Sequence, residues 1–464
     1  MDTISKFYEA AAPAPKYRML AQAIRDAIAH NALSAGDRLP PVRDLAWHLG
    51  ITPGTVARAY TVLTDDKVLT AEVGRGTFVS LPNSAVADDV WNRQVARMTN
   101  GLLNLFAPQL PDVGQVALMR DAMGRIGEAD PLRLMTYPTR ASHLPARRAA
   151  AHWLRGLPLG GLDPDDVVLT HGGQSGIVTV LQTLLHGPRP VILVEDLSYA
   201  GFRRAAELLR AEVVAVPMDA QGLVPEALET LARRHGAQVL CTSPEVHNPT
   251  GLCTPPERRR QIADVATRAD LQILEDDCYR MGTPKAATYR VLAPGRGWHV
   301  SSLSKTLTPA LRVGFAVAPQ GRGGALRKAA EYGYFGLAQP LAEMMEQLLV
   351  DPRAEGLADA VRERVGEYIR VAVNALGAFE LSWHVDVPFL WLPLPPGWRA
   401  AAFTRAAEGQ GIQIRSADEF ALRDGRAPHA VRIAVNAQVP LARFEAAMQT
   451  LRGLLENPPE QISV

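Results

Sequence analysis

This sequence has few cysteines, only short apolar runs and almost no net charge. Its three cysteines, Cys241, Cys253 and Cys278, form no Cys-x-x-Cys pair, so we expect free, buried thiols rather than a disulfide framework or a zinc site. The apolar runs are short and are broken by charges or glycine, and the N-terminus lacks an apolar signal core. We therefore expect a cytoplasmic protein that has no membrane segment and binds no metal.

The charge is nearly balanced, which excludes a strong overall attraction to nucleic acid. The chain has 49 Lys and Arg against 48 Asp and Glu among its 464 residues, and residues 1–80 hold 9 basic against 8 acidic residues. Any contact with DNA must therefore come from the local placement of a few side chains. The length and the apolar content of 47% are sufficient for two or three folded domains.

Residues 1–80 predict three helices followed by a two-stranded wing. The segment KYRMLAQAIRDAIAHNAL is amphipathic, with Leu20 and Ile24 on its apolar face, and a second short helix follows GDRLPP. Thr52 can cap a third helix that has Pro53 at its first position. The alternating segment VLTAEVGRGTFVS then predicts a ribbon. This order is typical of a winged helix-turn-helix, with a small helical docking domain as the alternative.

The polar residues of this segment favour the DNA-binding interpretation. The start of the third helix is the part that enters the major groove, and arginines stand before it, within it and at the turn of the wing. The candidate DNA-contacting residues are Arg43, Thr52, Gly54, Thr55, Arg58 and Arg75. The run LPPVRDLAWHLGITPGTVARAYTVL followed by GRGTFV resembles the GntR-type DNA-binding domain, which implies a double-stranded operator as partner. Asp66 and Lys67 depart from that family, in which a glycine is common here.

The pattern changes beyond residue 80. Residues 81–105 lose the winged-helix pattern and are interpreted as a linker. Over residues 106–464, short apolar runs such as PVILVED, AQVLCTS and LQILEDD alternate with helical stretches, which predicts an α/β domain with a mainly parallel sheet. The functional residues of such sheets gather at the strand ends. Residues from about 351 to 455 are expected to form a smaller C-terminal α+β subdomain.

The segment VSSLSKTLTPALRVGF places a lysine among hydroxyl groups and near an arginine. A lysine near another cation loses its proton more readily and then condenses with an aldehyde, which makes Lys305 a candidate Schiff-base residue. Ser302, Ser304 and Arg312 are suited to hold a phosphate dianion. A lysine next to a phosphate cup suggests pyridoxal 5′-phosphate (PLP) as the cofactor. The alternative for Lys305 is a solvated charge at a strand end.

Other strand ends carry groups that this cofactor needs. Gly173 and Gln174 stand at a glycine turn that opens a helix and can offer N–H groups to an anion, although many such turns bind no ligand. Asp276 can pair with a protonated pyridine nitrogen, and a helix cap is the alternative role. The remaining candidates are Asn248 and Tyr279 for the ring oxygen, and Tyr199 for stacking on the ring or for the core.

Taken in order, these segments resemble the fold-type I PLP proteins, the aspartate aminotransferase-like family, over most of the second domain. The resemblance implies that Lys305 forms the Schiff base, that Asp276 pairs with the pyridine nitrogen and that Tyr199 stacks on the ring, and these three are the catalytic candidates. It also implies that Tyr137 reaches the phosphate in a partner subunit. Arg432 matches the arginine that clamps a substrate carboxylate, with a surface strand arginine as the alternative.

One loop departs from the family pattern. The segment YPTRASHLPARR, which begins at Tyr137, lacks the glycine that is usual there and has Ser142 and His143 nearby. Because this loop often borders the substrate in the family, the ligand or its turnover can differ from those of an ordinary aminotransferase.

As a whole, the sequence resembles the MocR (GabR-like) regulators. This resemblance implies a homodimer and a transcription regulator in which the PLP site reports an amino-compound effector to the DNA-binding domain. Two alternatives stay open. One is a working aminotransferase with a DNA-binding domain, since the transamination residues are present. The other is a regulator of vitamin B6 metabolism that responds to PLP itself.

Overall fold

The chain divides into two units, Met1–Asn100 and Gly101–Val464. Each unit has a hydrophobic core of its own. The structure is a computed structural model that describes residues 2–9, 15–30, 32–34, 36–66, 68–72, 76–79, 102–128, 130–422 and 425–458. No helix in these ranges is long and apolar enough to cross a membrane. The three cysteines are free thiols.

The N-terminal unit contains the helices and the wing that the sequence predicts, preceded by one further helix. Its elements are α1 (Asp2–Glu9), α2 (Lys16–Ala29), α3 (Val42–His48), α4 (Pro53–Asp65), β1 (Leu69–Glu72) and β2 (Gly76–Val79). Leu20, Ile24 and Leu63 are fully buried, as the apolar faces of α2 and α4 require, and Ile4 of the unpredicted α1 joins them. β1 and β2 pair antiparallel. The predicted winged helix-turn-helix is therefore confirmed.

Strands and helices alternate along most of the second unit. Its helices are α5 (Gln115–Gly124), α6 (Leu144–Trp153), α7 (Gly172–Leu184), α8 (Ala200–Leu208), α9 (Pro225–His235), α10 (Pro256–Arg268), α11 (Tyr289–Leu292), α12 (Gly323–Tyr334), α13 (Gln339–Val350), α14 (Arg353–Leu376), α15 (Ala400–Gly409) and α16 (Leu441–Glu456). Its strands are β3 (Leu103–Asn104), β4 (Val167–Thr170), β5 (Val191–Glu195), β6 (Glu212–Val216), β7 (Met218–Asp219), β8 (Gly222–Leu223), β9 (Val239–Thr242), β10 (Gln272–Asp276), β11 (Gly297–Ser302), β12 (Gly314–Val317), β13 (Phe389–Pro393), β14 (Ile412–Gln413), β15 (Arg415–Ser416) and β16 (Ala430–Ala434).

A seven-stranded sheet forms the centre of this unit among the residues described. Its order is β4-β12-β11-β10-β9-β5-β6, and β12 runs antiparallel to both neighbours while the other pairs are parallel. Side chains alternate between the two faces, so Leu274 packs with Phe202 of α8 whereas Ile273 packs with Ile262 of α10. Helices thus cover both faces, and the predicted α/β architecture with a mainly parallel sheet is confirmed.

A second core in this unit combines residues from both of its ends. β13, β16 and β15 form an antiparallel sheet, and β3 pairs in parallel with β14. Leu103 and Leu105 are buried there against Ile369 of α14 and Phe444 of α16. Residues 103–105, assigned from the sequence to the end of the linker, therefore pack within the body because their apolar side chains have a core to enter. Residues 81–101 lie outside the described residues.

A buried carboxylate lies on the face of the sheet that α10 covers. Glu275 is 1% exposed, and one of its oxygens accepts a hydrogen bond of 2.7 Å from the backbone N–H of Tyr289. Arg259, also buried, forms a 2.7 Å ion pair with Glu245. Burial raises the pKa of Glu275 to about 8, although the nearby Arg259 acts in the opposite direction. The raised pKa favours the protonated form of Glu275 in the folded protein.

We predict that Glu275→Gln changes how stability depends on pH. The unfolded chain releases this proton near the ordinary pKa of 4.5, whereas the folded protein keeps it up to about pH 8, so the wild type loses stability relative to the variant as the pH rises between these values. The loss is on the order of a few kcal/mol. It is measured as the free energy of unfolding in urea at several pH values across this window. Glu363→Gln on the exposed side of α14 controls for the chemical change, and parallel profiles for wild type and Glu275→Gln would contradict the prediction.

Candidate cofactor site and DNA-contacting surface

The carboxyl ends of the parallel strands place the predicted cofactor residues at one edge of the sheet. β4 leads into α7 at Gly173, β10 ends at Asp276, and β11 ends at Ser302 directly before the 3₁₀ turn Leu303–Lys305. The antiparallel β12 starts at the same edge, so Arg312 returns to the site just before that strand. Ligand sites of open α/β sheets form at such an edge.

The first turn of α7 forms an anion cradle. No side chain caps this helix within the described residues, so the backbone N–H groups of Gly173 and Gln174 can bind an external acceptor. A Cβ added to Gly172, whose φ is +76°, would lie 3.0 Å from a terminal nitrogen of Arg312. A Cβ added to Gly173 would lie 2.4 Å from the sulfur of Cys278. The two glycines therefore let the arginine and the strand end approach the helix closely.

Asp276 is a buried carboxylate that has no cationic partner among the residues described. Burial raises its pKa to about 6, and the backbone N–H of Cys278 donates a 3.1 Å hydrogen bond to it. A cationic N–H donor placed against this carboxylate would lower the pKa again. Tyr199 lies close to it, since burial and then the Asp276 carboxylate raise the pKa of the Tyr199 hydroxyl. A carboxylate and an aromatic ring thus stand together at this edge.

Lys305 and Arg432, the two predicted ligand-contacting cations, belong to one cluster. The Lys305 Nζ lies 5.6 Å and the Arg432 Cζ lies 6.0 Å from the ring centroid of Tyr279. Arg432 is 3% exposed, and its Nη1 donates a 2.5 Å hydrogen bond to Asn248 Oδ1. Burial lowers the pKa of Arg432. It is therefore a buried cation and not a surface strand arginine.

The other residues that the sequence singles out differ in their exposure and contacts. Ser304 is buried in the turn that precedes Lys305. Tyr137 is 83% exposed, and its ring centroid lies 6.2 Å from that of Phe335. Ser142, in the loop that lacks the glycine usual in the family, accepts a 2.8 Å hydrogen bond from the backbone N–H of Thr139 and so closes the turn by a side-chain contact. This loop is therefore ordered by polar contacts rather than by glycine.

The start of α4 presents an open polar surface in the N-terminal unit. Thr52 Oγ1 accepts a 3.3 Å hydrogen bond from the N–H of Thr55, which confirms the predicted cap. The exposed predicted residues are Arg43, Thr52, Gly54 and Arg58, and Thr55 is partly exposed. Polar side chains at an exposed helix start are suited to contact with DNA phosphates and base edges.

Two aromatic side chains accompany the arginines of the N-terminal unit. The Arg58 guanidinium lies 4.2 Å from the ring centroid of Tyr17, a cation–π contact that holds it against α2. Trp47, which the sequence analysis did not single out, is 87% exposed one helical turn after Arg43. Arg75, the predicted wing-tip contact, lies outside the described residues.

Several contributors to the cofactor site were missed from the sequence. The backbone carbonyl of Pro108 accepts a hydrogen bond of 3.4 Å from Lys305, and that of Phe106 accepts one of 2.6 Å from Arg432. A backbone carbonyl leaves no trace in a residue pattern, so these contacts had no signal. Arg415 also reaches the Phe106 carbonyl, at 2.9 Å. Its signal is that it is the one charged residue in the segment GIQIRSA.

Comparison with known proteins agrees with this geometry. The family Aminotransferase class I and II matches residues 102–451, and Bacterial regulatory proteins, gntR family, matches residues 16–79. The uncharacterized HTH-type transcriptional regulator YdeF of Bacillus subtilis is 28% identical over 96% of this chain and 95% of its own. The HTH-type pyridoxine biosynthesis transcriptional regulator PdxR of Corynebacterium glutamicum is 29% identical over 74% of each chain. An archaeal alanine:glyoxylate aminotransferase shares the fold with a TM-score of 0.69 and 22% identity, over 81% of this chain and 96% of its own.

The cofactor that this fold and family imply is PLP, and the groups at the sheet edge fit it. The α7 N–H groups and Arg312 suit a phosphate dianion, and the buried Asp276 suits a protonated ring nitrogen. Lys305 supplies the amine. The residues that would hold PLP are Gly173, Gln174, Tyr199, Asn248, Asp276, Tyr279, Ser302, Ser304, Lys305 and Arg312.

We predict that Gly173→Ala weakens PLP retention and lowers stability by roughly 1–3 kcal/mol, because the new methyl group collides with the Cys278 sulfur. In the Cys278→Ala background the collision is removed, so the same substitution there costs clearly less. The four proteins of this cycle are compared by urea unfolding and by the PLP absorbance that remains after gel filtration. An equal cost of Gly173→Ala in both backgrounds would show that the contact does not limit the cradle.

Proposed function

This chain belongs to the aminotransferase class I and II family and carries a GntR-type DNA-binding domain, and from that premise we propose that it is a transcription regulator that senses an amino compound through its PLP site. The observation that carries the proposal is that similarity to a transcriptional regulator extends over 96% of the chain, across both units. A DNA-contacting helix start and a buried cofactor site therefore stand on one polypeptide.

The chain's own groups divide the binding of cofactor and ligand between them. When bound, PLP supplies an aldehyde that condenses with amines and a ring that withdraws electrons. Asp276 would accept a hydrogen bond from the protonated ring nitrogen, and Tyr279 and the amide N–H of Asn248 would donate to the ring oxygen. Lys305 offers its amine to the aldehyde. Arg432, buried and directed by Asn248, meets the anionic group of the ligand.

Coupling to DNA requires that the ligand bind two arrangements of the protein with different affinities. We propose that these arrangements belong to a homodimer in the cytoplasm, where its operator is found. Leu132, Met135, Tyr137 and Phe335 are each at least 74% exposed, and such apolar surface is typical of an interface. In this proposal Tyr137 leaves its own subunit to reach the phosphate of the partner, and two DNA-binding domains contact paired half-sites.

The experiment that tests the function titrates the PLP-loaded, full-length protein with a panel of amines and amino acids, with and without a keto acid. Absorbance and operator affinity are followed together. A compound that converts the spectrum, holds it there and changes the DNA affinity identifies a sensor. Lys305→Ala controls for the site, because PLP should no longer stay on that variant after borohydride reduction and denaturation.

The two alternatives give different results in the same titration. A working aminotransferase cycles through the spectral change repeatedly and accumulates product when a keto acid is present. A regulator of vitamin B6 metabolism, as the relative PdxR is named, changes its DNA affinity with PLP and ignores the amines. Either result would replace the proposed sensor function.

We predict that Arg43→Ala and Arg58→Ala each weaken operator binding by roughly tenfold and lower the salt dependence by about one unit, because each removes an exposed cation from the N-terminal unit, Arg43 from α3 and Arg58 from α4. The probe is a duplex that the wild type selects from a random library, and affinity is measured by fluorescence anisotropy at several salt concentrations. The PLP spectrum should stay unchanged. Arg405→Ala, which removes an exposed arginine on α15 of the other unit, is the matched control. Unaltered affinity of both variants would place the DNA-contacting surface elsewhere.

A further inference from the structure

A short bulge of the chain points its carbonyl groups at the cofactor cluster. The bulge, Phe106–Pro108, lies between two anchored residues. The N–H of Leu105 donates to the carbonyl of Gln413 at 2.8 Å, and the N–H of Gln109 donates to that of Val435 at 2.9 Å. The flanks are therefore fixed to the small subdomain by backbone contacts, and the three residues of the bulge lie between these contacts.

Two guanidinium groups meet at the first carbonyl of this bulge. The Phe106 oxygen accepts from Arg432 Nη2 at 2.6 Å and from Arg415 Nε at 2.9 Å. The two arginines face each other because Arg415 is the register partner of Arg432 in the β15–β16 pair. The Arg415 Cζ also lies 5.5 Å from the ring centroid of Phe106. A single neutral acceptor is thus shared by two cations.

The charges at this point are only partly balanced. Arg432 is 3% exposed, its Nε has no acceptor among the described residues, and burial followed by the nearby Arg415 lowers its pKa. Glu419 pairs with Arg415 at 2.6 Å, where both side chains are partly open to solvent. Two guanidinium groups and one carboxylate leave an excess positive charge. A carbonyl dipole compensates that charge less well than an oxyanion does.

We propose that Arg415 and Arg432 together bind the oxyanion of the effector, and that the Phe106 carbonyl competes with this anion for the same donors. The inference rests on the proposed sensor function. It adds Arg415 as a specificity-determining residue, and it assigns the ligand to amino compounds that carry a carboxylate or a sulfonate. The oxyanion has enough acceptor sites for both guanidinium groups, while its amine reaches toward Lys305, whose Nζ contacts the other end of the same bulge.

The test uses three 2-aminoethyl compounds that differ in one group: β-alanine with a carboxylate, taurine with a sulfonate, and n-propylamine with neither. Each is titrated into the PLP-loaded full-length protein, and the Kd is read from the absorbance change. Arg415→Leu should weaken the tighter anionic compound by about tenfold or more, through loss of a charge-assisted hydrogen bond, and leave n-propylamine within about twofold. The anionic compound whose Kd rises more in Arg415→Leu shows whether the site prefers a carboxylate or a sulfonate.

Three further variants keep the test specific. Arg415→Lys retains a cation and should recover part of the loss, whereas Glu419→Gln removes the competing carboxylate and should tighten the anionic compound. Arg405→Leu, an exposed arginine on α15, is the matched control and should behave as the wild type. An equal loss for n-propylamine, or no loss for either anion, would overturn the assignment of Arg415.

A second measurement separates this inference from the proposed function. Acetate and methanesulfonate, which carry no amine, should raise the thermal unfolding midpoint of the wild type more than that of Arg415→Leu, since a ligand stabilises the state that binds it. If amines leave the absorbance unchanged and the anion effect still depends on Arg415, the sensor function fails and the anion site stands. If amines respond and the anion effect is the same in both proteins, the anion site fails and the sensor function stands.

Discussion

The parallel pairing of β9, β10 and β11 is the constraint on which the functional site depends. Parallel strands end at the same edge of a sheet, so groups that are far apart in sequence arrive at one place. Asp276 and Lys305 are brought together in this way. The antiparallel strand β12 starts at that edge, so Arg312, just before it, also lies at the anion cradle.

Alternation along β10 separates two neighbouring carboxylates that have different roles. Asp276 faces the site, and Glu275 faces the polar cluster under α10, because successive side chains of a strand point to opposite faces. Both are buried and both have a raised pKa. Asp276 is adapted to a cationic partner that comes with the cofactor. Glu275 has its hydrogen-bond donor within the protein, so its ionisation affects the free energy of unfolding rather than the binding of a cofactor.

In the cluster around Arg432, backbone carbonyl groups occupy the donors that bind the ligand in the proposed function. The bulge at Phe106–Pro108 offers one carbonyl group to Lys305 and another to Arg432. In the proposed function Lys305 binds the cofactor aldehyde and Arg432 binds the anionic group of the ligand. A neutral carbonyl is a weaker acceptor for a cationic side chain than an oxyanion is.

Much of this protein was determined by local sequence. The amphipathic pattern of α2 fixed its buried face, Thr52 followed by Pro53 fixed the start of α4, and the apolar runs fixed the strands of the main sheet, because each depends only on neighbouring residues. The order of the segments containing Asn248, Asp276 and Lys305 also identified the cofactor class through its resemblance to a known family. These contributions needed no knowledge of which strands pair.

Other features were decided only by the tertiary structure. Whether Arg432 is a surface residue or a buried cation depended on the packing of β16 against β13 and on Asn248, which lies far away in sequence. The pairing of β3 with β14 moved residues 103–105 from the linker into the body. The meeting of Arg415, Arg432 and the Phe106 carbonyl required both of these pairings at once. Backbone acceptors and strand register carry no residue signature, so only the folded chain could bring this site into view.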